Sequence, residues 1–142
     1  MNSIDKPWGR EEWLVLNEKY CLKRLYVNEG KKLSLQYHEV KKETMFLESG
    51  VCDLLLNGET ILMEIGVPYT INPQDVHRLI PYRDTVILEV STPEVEDVVR
   101  IEDDYGRPKY GRRITRKVKL VHPHPLNQYK KSQIRVLLVV FA

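Results

Sequence analysis

Four side chains that can bind a metal ion occur at spacings that would bring them together. Gln36 and His38 are separated by one residue, Glu43 follows five residues later, and His77 lies further along the chain. Residues i and i+2 of a β-strand face the same side, so Gln36 and His38 would point together. Two imidazoles, a carboxylate and an amide oxygen form a nitrogen–oxygen ligand set that suits Zn, Mn, Fe, Co or Ni. The spacing predicts one divalent metal site.

Strands separated by turns would have to position these residues. Short β-rich runs alternate with turn residues, a pattern typical of an all-β barrel or sandwich. We predict strands at 12–16, 21–27, 33–38, 44–47, 51–56, 60–64, 69–71, 76–80 and 86–90. Asn57-Gly58 predicts a two-residue hairpin, because both turn positions need a positive φ. A short turn at 39–42 would return Glu43 beside Gln36 and His38. Residues 93–104 are compatible with a helical turn or a further strand.

Composition indicates one globular domain in a reducing compartment. The chain has 142 residues, of which 42% are hydrophobic and 30% charged. Cys21 and Cys52 are the only cysteines and lie in apolar runs, so we expect free thiols and a cytoplasmic protein. We find no secretory signal pattern and no apolar run near the ~18 residues of a membrane span, so no membrane association is expected.

The charge divides the chain into an acidic body and a basic tail. Residues 1–106 contain 12 Lys and Arg against 20 Asp and Glu, whereas residues 107–142 contain 10 Lys and Arg and no acid. We predict a barrel domain at 1–107 and a basic C-terminal extension at 108–142, with strand candidates at 116–121 and 134–141. The apolar end would pair with a sheet edge, and we expect a homodimer.

Two other functions of the tail are weaker interpretations. Basic character can indicate nucleic-acid binding, but the tail contains no recognised module, so we do not expect a nucleic-acid partner. His122 and His124 could face one side of an extended segment, yet they lack a third metal ligand.

The metal-ligand spacing belongs to a longer motif. Gly-(x)5-Gln-x-His-(x)4-Glu-(x)6-Gly, from Gly30 to Gly50, resembles the first motif of the cupin superfamily, with Gln36 in place of its first histidine. Residues 66–81 resemble the second cupin motif. The closest likeness is to the isomerase domain of type II mannose-6-phosphate isomerases, a domain often fused to a mannose-1-phosphate guanylyltransferase. This likeness is found in four segments, 6–9, 32–38, 76–79 and 96–107. Asn72 and Gln74 replace the family's usual Pro and Gly.

The resemblance implies a cupin-type jelly-roll barrel that binds one divalent metal, zinc being our first expectation and Mn, Co, Ni or Fe the alternatives. It also implies aldose–ketose exchange between mannose 6-phosphate and fructose 6-phosphate. The metal would act as a Lewis acid and stabilise an enediolate. Candidates for moving the proton are Lys32, Arg78, a metal-bound water, or Glu43 if it leaves the metal. The sugar phosphate would be held at the barrel mouth by residues chosen from Lys32, Lys42, Arg78, Tyr105 and Arg107.

Two further functions remain open at this point. The chain could be another metal-dependent cupin enzyme, such as an epimerase, a lyase or an oxygenase, and oxygen consumption with Fe(II) would indicate the last. It could also be a non-catalytic sugar-binding module, which would bind its ligand without turnover. Lys41 and Lys42 could simply form a solvated turn.

Overall fold

The computed structural model describes residues 2–111, and within this range every regular element is a β-strand. The all-β prediction is therefore confirmed for the described residues. The eleven strands are β1 (Asn2–Lys6), β2 (Gly9–Leu16), β3 (Cys21–Val27), β4 (Leu35–Tyr37), β5 (Glu43–Ser49), β6 (Cys52–Leu56), β7 (Glu59–Leu62), β8 (Pro68–Ile71), β9 (His77–Pro81), β10 (Thr85–Ser91) and β11 (Val99–Glu102).

The strands form two antiparallel sheets that share one core. One sheet has the order β1-β2-β3-β10-β5-β8, and the other has the order β11-β4-β9-β6-β7. Neighbours within each sheet are often distant in sequence, because the chain passes repeatedly from one sheet to the other. Leu25 and Ile87 of the first sheet pack in the same apolar cluster as Leu54 and Leu79 of the second. The two sheets therefore face each other across this cluster.

The enclosed face changes from apolar to charged along the strands. In β3 the buried positions alternate, so Lys23 faces the same side as Leu25 and Val27. Lys23 lies opposite Glu89 of β10, one alternation away from the pair Leu25 and Ile87. Both charged residues are buried. The interior thus has an apolar end that stabilises the fold and a polar end whose side chains could bind an ion or a substrate.

Glycine at position 9 is required where β2 meets β3. Gly9 has a φ of 150°, and a Cβ atom there would lie 1.8 Å from the Tyr26 carbonyl oxygen. This close approach lets Trp8, only 3% exposed, join the apolar cluster. The Trp8 carbonyl also accepts a 2.9 Å hydrogen bond from the Asn28 N–H.

The local predictions agree closely with the strands. The run at 21–27 coincides with β3, and the ambiguous segment 93–104 contains a strand, β11. Asn57 and Gly58 have φ values of 49° and 86° and form the two-residue turn between β6 and β7. Cys21 and Cys52 are buried free thiols. The exposed strand β1 was not predicted, because its sequence lacks apolar alternation.

Several predictions fall outside the described residues. These are the strand candidates at 116–121 and 134–141, the histidine pair 122 and 124, and the tail contact in a homodimer. The boundary at 107/108 stays a prediction. Residues 108–111 run beside β11, where Arg100 donates its N–H to the Lys109 carbonyl at 2.6 Å. Within residues 2–111, no helix is long and apolar enough to cross a membrane.

Candidate metal centre

Three of the four predicted ligands meet at the polar end of the interior. His38 directly follows β4, while β5 and β9 begin at Glu43 and His77. Glu43 Oε1 lies 3.3 Å from His38 Nε2 and 3.1 Å from His77 Nε2. Each of the three residues is 2% exposed. One potential ligand atom from each lies within 4.8 Å of the others, a cluster small enough to surround a single ion.

The hydrogen bonds of the two histidines determine which ring nitrogen is bare. His77 Nδ1 lies 2.9 Å from the Asp75 carbonyl oxygen, and His38 Nδ1 contacts the Asp97 carbonyl oxygen. A carbonyl oxygen can only accept, so each Nδ1 carries the proton of the neutral ring. Each Nε2 then presents a lone pair toward Glu43. Backbone carbonyls commonly orient metal-binding histidines in this way.

The resulting arrangement fits a divalent cation. Two bare nitrogens directed at a carboxylate oxygen repel it unless a positive charge lies between them. Two imidazoles and one carboxylate suit zinc and the neighbouring transition metals. The donor set therefore fits the predicted metal, and a bound ion would satisfy all three groups.

Gln36 adjoins this cluster with its amide nitrogen facing it. Gln36 lies opposite His77 in the β4–β9 ladder, and its Nε2 is 3.5 Å from His77 Nε2. Its Oε1 accepts a 2.6 Å hydrogen bond from Ser34 Oγ. Because only the amide oxygen can serve as a ligand, Gln36 would bind a metal after its amide turns. Its role as the fourth ligand stays a prediction.

A buried lysine keeps the Glu43 carboxylate ionised. Lys41 Nζ lies 2.5 Å from Glu43 Oε2 and 3.0 Å from Glu89 Oε1. Burial alone would raise the pKa of Glu43, but the neighbouring ammonium group of Lys41 outweighs it and holds that pKa well below its usual range. Burial also opposes the charge of Lys41, yet the two carboxylates outweigh it and raise the Lys41 pKa. Together the three charges sum to −1, which complements a dication.

This position of Lys41 was not predicted. A turn sequence of Glu, Val and two lysines suggests solvent exposure, and Glu39, Val40 and Lys42 are exposed, but Lys41 is only 4% exposed. Glu89 was also missed, although it occupies an inward position of β10 opposite Lys23. A charged residue at an inward position of an otherwise apolar strand was the available signal for Glu89.

One carboxylate organises the turn between His38 and Glu43. Asp97 accepts backbone N–H bonds from Glu39 at 3.0 Å and from Val40 and Lys41 at 2.8 Å. Its own carbonyl oxygen contacts His38 Nδ1. Burial raises the pKa of Asp97, but the three N–H donors outweigh it and lower that pKa. A single residue therefore fixes both the turn and the orientation of a ligand.

A second turn orients His77. The Asp75 N–H donates to the Asn72 carbonyl at 3.1 Å, and Asp75 Oδ2 accepts the Asn72 N–H at 2.8 Å. Gln74 has a φ of 72°, a conformation that favours glycine, and its N–H donates to the His38 carbonyl at 2.8 Å. Position 74 thus keeps a glycine-type backbone although glutamine replaces the Gly of the resembled family.

Two predicted catalytic residues lie away from the three-residue cluster. Arg78 follows His77 in β9 and so faces the opposite side of the sheet. Its guanidinium donates to the Leu33 carbonyl at 2.9 Å and to Glu102 Oε2 at 3.2 Å. Lys32 Nζ lies 3.5 Å from Asp104 Oδ2 at the surface. Neither is brought together with His38, Glu43 and His77 among the described residues, and their catalytic roles stay predictions.

The remaining predicted substrate contacts lie in two separate places. Lys42 is exposed. The Tyr105 hydroxyl donates to the Lys32 carbonyl at 2.9 Å. Arg107 donates to Asp103 Oδ1 at 2.6 Å, and its guanidinium carbon lies 5.3 Å from the Tyr105 ring centre. Tyr105 and Arg107 therefore form one local structure, separate from Lys42.

We predict that Asp97→Asn lowers the free energy of unfolding at pH 7 by about 1–3 kcal/mol, because charge-assisted bonds to three N–H groups are weakened. The folded-state pKa of Asp97 lies below the unfolded value of about 3.9. The stabilisation is thus present above the unfolded pKa and is lost as the pH falls through the folded pKa. Urea unfolding of the wild type and of Asp97→Asn from pH 7 to pH 2 measures the gap between their free energies of unfolding. Asp104→Asn, at an exposed neighbour, is the control, and a gap that stays constant to pH 2 contradicts the assignment.

We predict that Lys41→Met lowers the free energy of unfolding of the chelated protein by about 3–5 kcal/mol, because two buried carboxylates lose their cation. The double variant Lys41→Met/Glu89→Gln should recover part of this loss. Denaturant titration with Lys42→Met as the exposed control measures both effects. Equal stability of the two single variants would show that Lys41 does not compensate Glu43 and Glu89.

The chain is similar to part of several longer curated bacterial proteins. It is 33% identical over 109 residues to mannose-1-phosphate guanylyltransferase ManC of Salmonella typhimurium, a match that covers 73% of this chain and 23% of the relative. It is 29% identical, with the same coverages, to alginate biosynthesis protein AlgA of Pseudomonas aeruginosa. The chain therefore spans about a quarter of the length of these curated relatives.

Comparison with solved structures confirms the cupin fold. KdgF from Halomonas sp. superposes with a TM-score of 0.61 at 14% identity, covering 66% of this chain and 86% of that one. An RmlC-like cupin from Shewanella frigidimarina gives a TM-score of 0.61 at 13% identity, covering 65% and 83%. These similarities establish the cupin jelly roll predicted from the motifs.

A family match covers the whole barrel, including the two turns that orient the histidines. Residues 1–103 match the family described as Mannose-6-phosphate isomerase C-terminal. The match extends over most of the chain and includes Gln36, His38, Glu43 and His77. The chain belongs to the mannose-6-phosphate isomerase C-terminal family of cupins.

Proposed function

We propose that this chain is a metal-dependent isomerase that interconverts mannose 6-phosphate and fructose 6-phosphate. The observation that carries the proposal is the pair of bare Nε2 atoms directed at the ionised Glu43 carboxylate. Membership of the mannose-6-phosphate isomerase C-terminal family supports the choice of substrate. We place the reaction in the cytoplasm, in keeping with two free thiols.

His38, His77 and Glu43 would hold the ion, with zinc as the first candidate. A bound dication would supply Lewis-acid stabilisation of negative charge on the sugar oxygens. The group formed by Lys41, Glu43 and Glu89 carries a net charge of −1. With a dication the centre would therefore carry a net charge of +1, which favours an anionic species over a neutral one.

The surrounding residues would keep this charge distribution constant during the reaction. The raised pKa of Lys41 keeps its ammonium group charged at neutral pH, so Lys41 can stabilise an anion but cannot accept a proton. The Asp75 and Asp97 carbonyls hold the protons on His77 Nδ1 and His38 Nδ1. Both rings are then excluded from acting as acids at Nε2, and their bare nitrogens remain available to the ion.

The test is a coupled assay for fructose 6-phosphate formed from mannose 6-phosphate, with protein loaded in turn with Zn, Co, Mn and Ni. We expect turnover that disappears on chelation and falls at least about 100-fold in His77→Ala, because a ligand is lost. His124→Ala, outside the proposed ligand set, should retain the wild-type rate.

Other outcomes would redirect the assignment. No turnover with any metal, in protein shown to hold one ion, would contradict the isomerase. Oxygen consumption by the Fe(II)-loaded protein would indicate an oxygenase instead. Saturable binding of the sugar phosphate without turnover would indicate a non-catalytic binding module.

A further inference from the structure

A cationic cleft lies where β11 meets the segment that follows it. Its volume is about 400 Å³, and it is lined by Tyr37, Arg100, Ile101, Asp103, Arg107 and Lys109. Three of these residues are cations and one is an acid, so the lining carries a net charge of +2. A phosphate monoester carries about −1.5 to −2 at pH 7. The positive charge of the cleft lining is therefore complementary to the negative charge of a phosphate group.

The single acid of the cleft does not neutralise all three cations. Asp103 accepts hydrogen bonds from the Arg107 side chain at 2.6 and 3.1 Å and from the Arg107 N–H at 2.8 Å. Its side chain is 6% exposed, so little of it remains available to other donors. Residues 112–142 contain no Asp or Glu, so no acidic side chain of the tail can compensate Arg100 or Lys109.

Arg100 uses only part of its hydrogen-bonding capacity among the described residues. Its NH1 donates to the Pro108 carbonyl at 3.0 Å, while its Nε is buried without a partner among the described residues. Burial lowers the pKa of Arg100 and the nearby charge of Arg107 lowers it further, and together they outweigh the opposing effect of Asp103, Glu11 and Glu96. Two guanidinium groups held close together repel each other, and a bound oxyanion would relieve this repulsion. Guanidinium groups also match phosphate geometry through paired hydrogen bonds.

The cleft is connected to the candidate metal centre through the strands. Arg100 of β11 lies opposite Gln36 of β4, and Gln36 lies opposite His77 of β9. Two inter-strand spacings separate the backbone positions of Arg100 and His77, a distance of about 10 Å. Such a distance is compatible with one small phosphorylated molecule that reaches both sites.

We propose that Arg100, Arg107 and Lys109 form an oxyanion subsite that binds the phosphate group of the substrate. The substrate identity rests on the isomerase proposed above, whereas the oxyanion site itself does not. Arg107 was among the predicted substrate contacts; Arg100 and Lys109 are new assignments. Lys32, Lys42 and Arg78 are not part of this subsite.

The direct test uses the full chain, freed of metal by chelation so that no metal can bind the anion. Inorganic phosphate is titrated and the backbone amides of residues 99–110 are followed by NMR. We expect saturable shifts there, and a dissociation constant at least about tenfold higher in Arg100→Gln, because a charge-assisted bond is lost. Lys109→Gln, at an exposed side chain, should raise the constant severalfold without affecting folding. Arg83→Gln, at an exposed arginine of another loop, should bind as the wild type does.

A second experiment tests whether the subsite binds the phosphate group of the sugar substrate. In the metal-loaded enzyme, Arg100→Gln should raise the KM for mannose 6-phosphate at least tenfold and leave kcat within about twofold. The subsite is overturned if wild-type protein gives no saturable shifts, if Arg100→Gln binds phosphate unchanged, or if its KM is unchanged. If the isomerase assay shows no turnover, the phosphate titration still decides whether the oxyanion site exists.

Discussion

A buried carboxylate, Glu43, is the charge around which the polar end of the barrel is organised. An isolated carboxylate in this position would be strongly disfavoured, because burial removes its hydration. Lys41 compensates one oxygen, and the two histidines face the other. Lys41 in turn requires Glu89, which β10 presents from the same interior face. The site therefore consists of mutually dependent charges, and its remaining net charge of −1 matches a cation.

The backbone supplies the second constraint on this centre. Neither histidine is oriented by a carboxylate side chain; each Nδ1 meets a backbone carbonyl from a turn. Those turns are themselves held by Asp97 and Asp75. The carboxylates of these two residues accept hydrogen bonds from backbone N–H groups that lie outside the strands. Ligand geometry thus depends on two short turns rather than on the strands alone. This explains how a histidine that directly follows β4, a strand of only three residues, can still be held in a defined orientation.

Local sequence patterns predicted most of the strands and the grouping of His38, Glu43 and His77. Alternation revealed β3, and the spacing of Gln36, His38 and Glu43 required a strand, a turn and a second strand. Alternation also implies that Arg78 faces the opposite side of the sheet from His77, and its catalytic role stays a prediction. The roles of Lys41 and Asp97 were not predictable locally, because their partners lie about 50 residues away and are brought close only by pairing between distant strands.

The central claim is that His38, Glu43 and His77 bind one divalent metal ion. X-ray absorption at the zinc edge, on the full chain loaded with one equivalent of zinc, tests this most directly. We expect a first shell of nitrogen and oxygen atoms at about 2.0–2.2 Å, with the outer-shell signature of two imidazoles. A spectrum with sulfur ligands at about 2.3 Å, or without imidazole scattering, would contradict the assignment of the ion to these three residues.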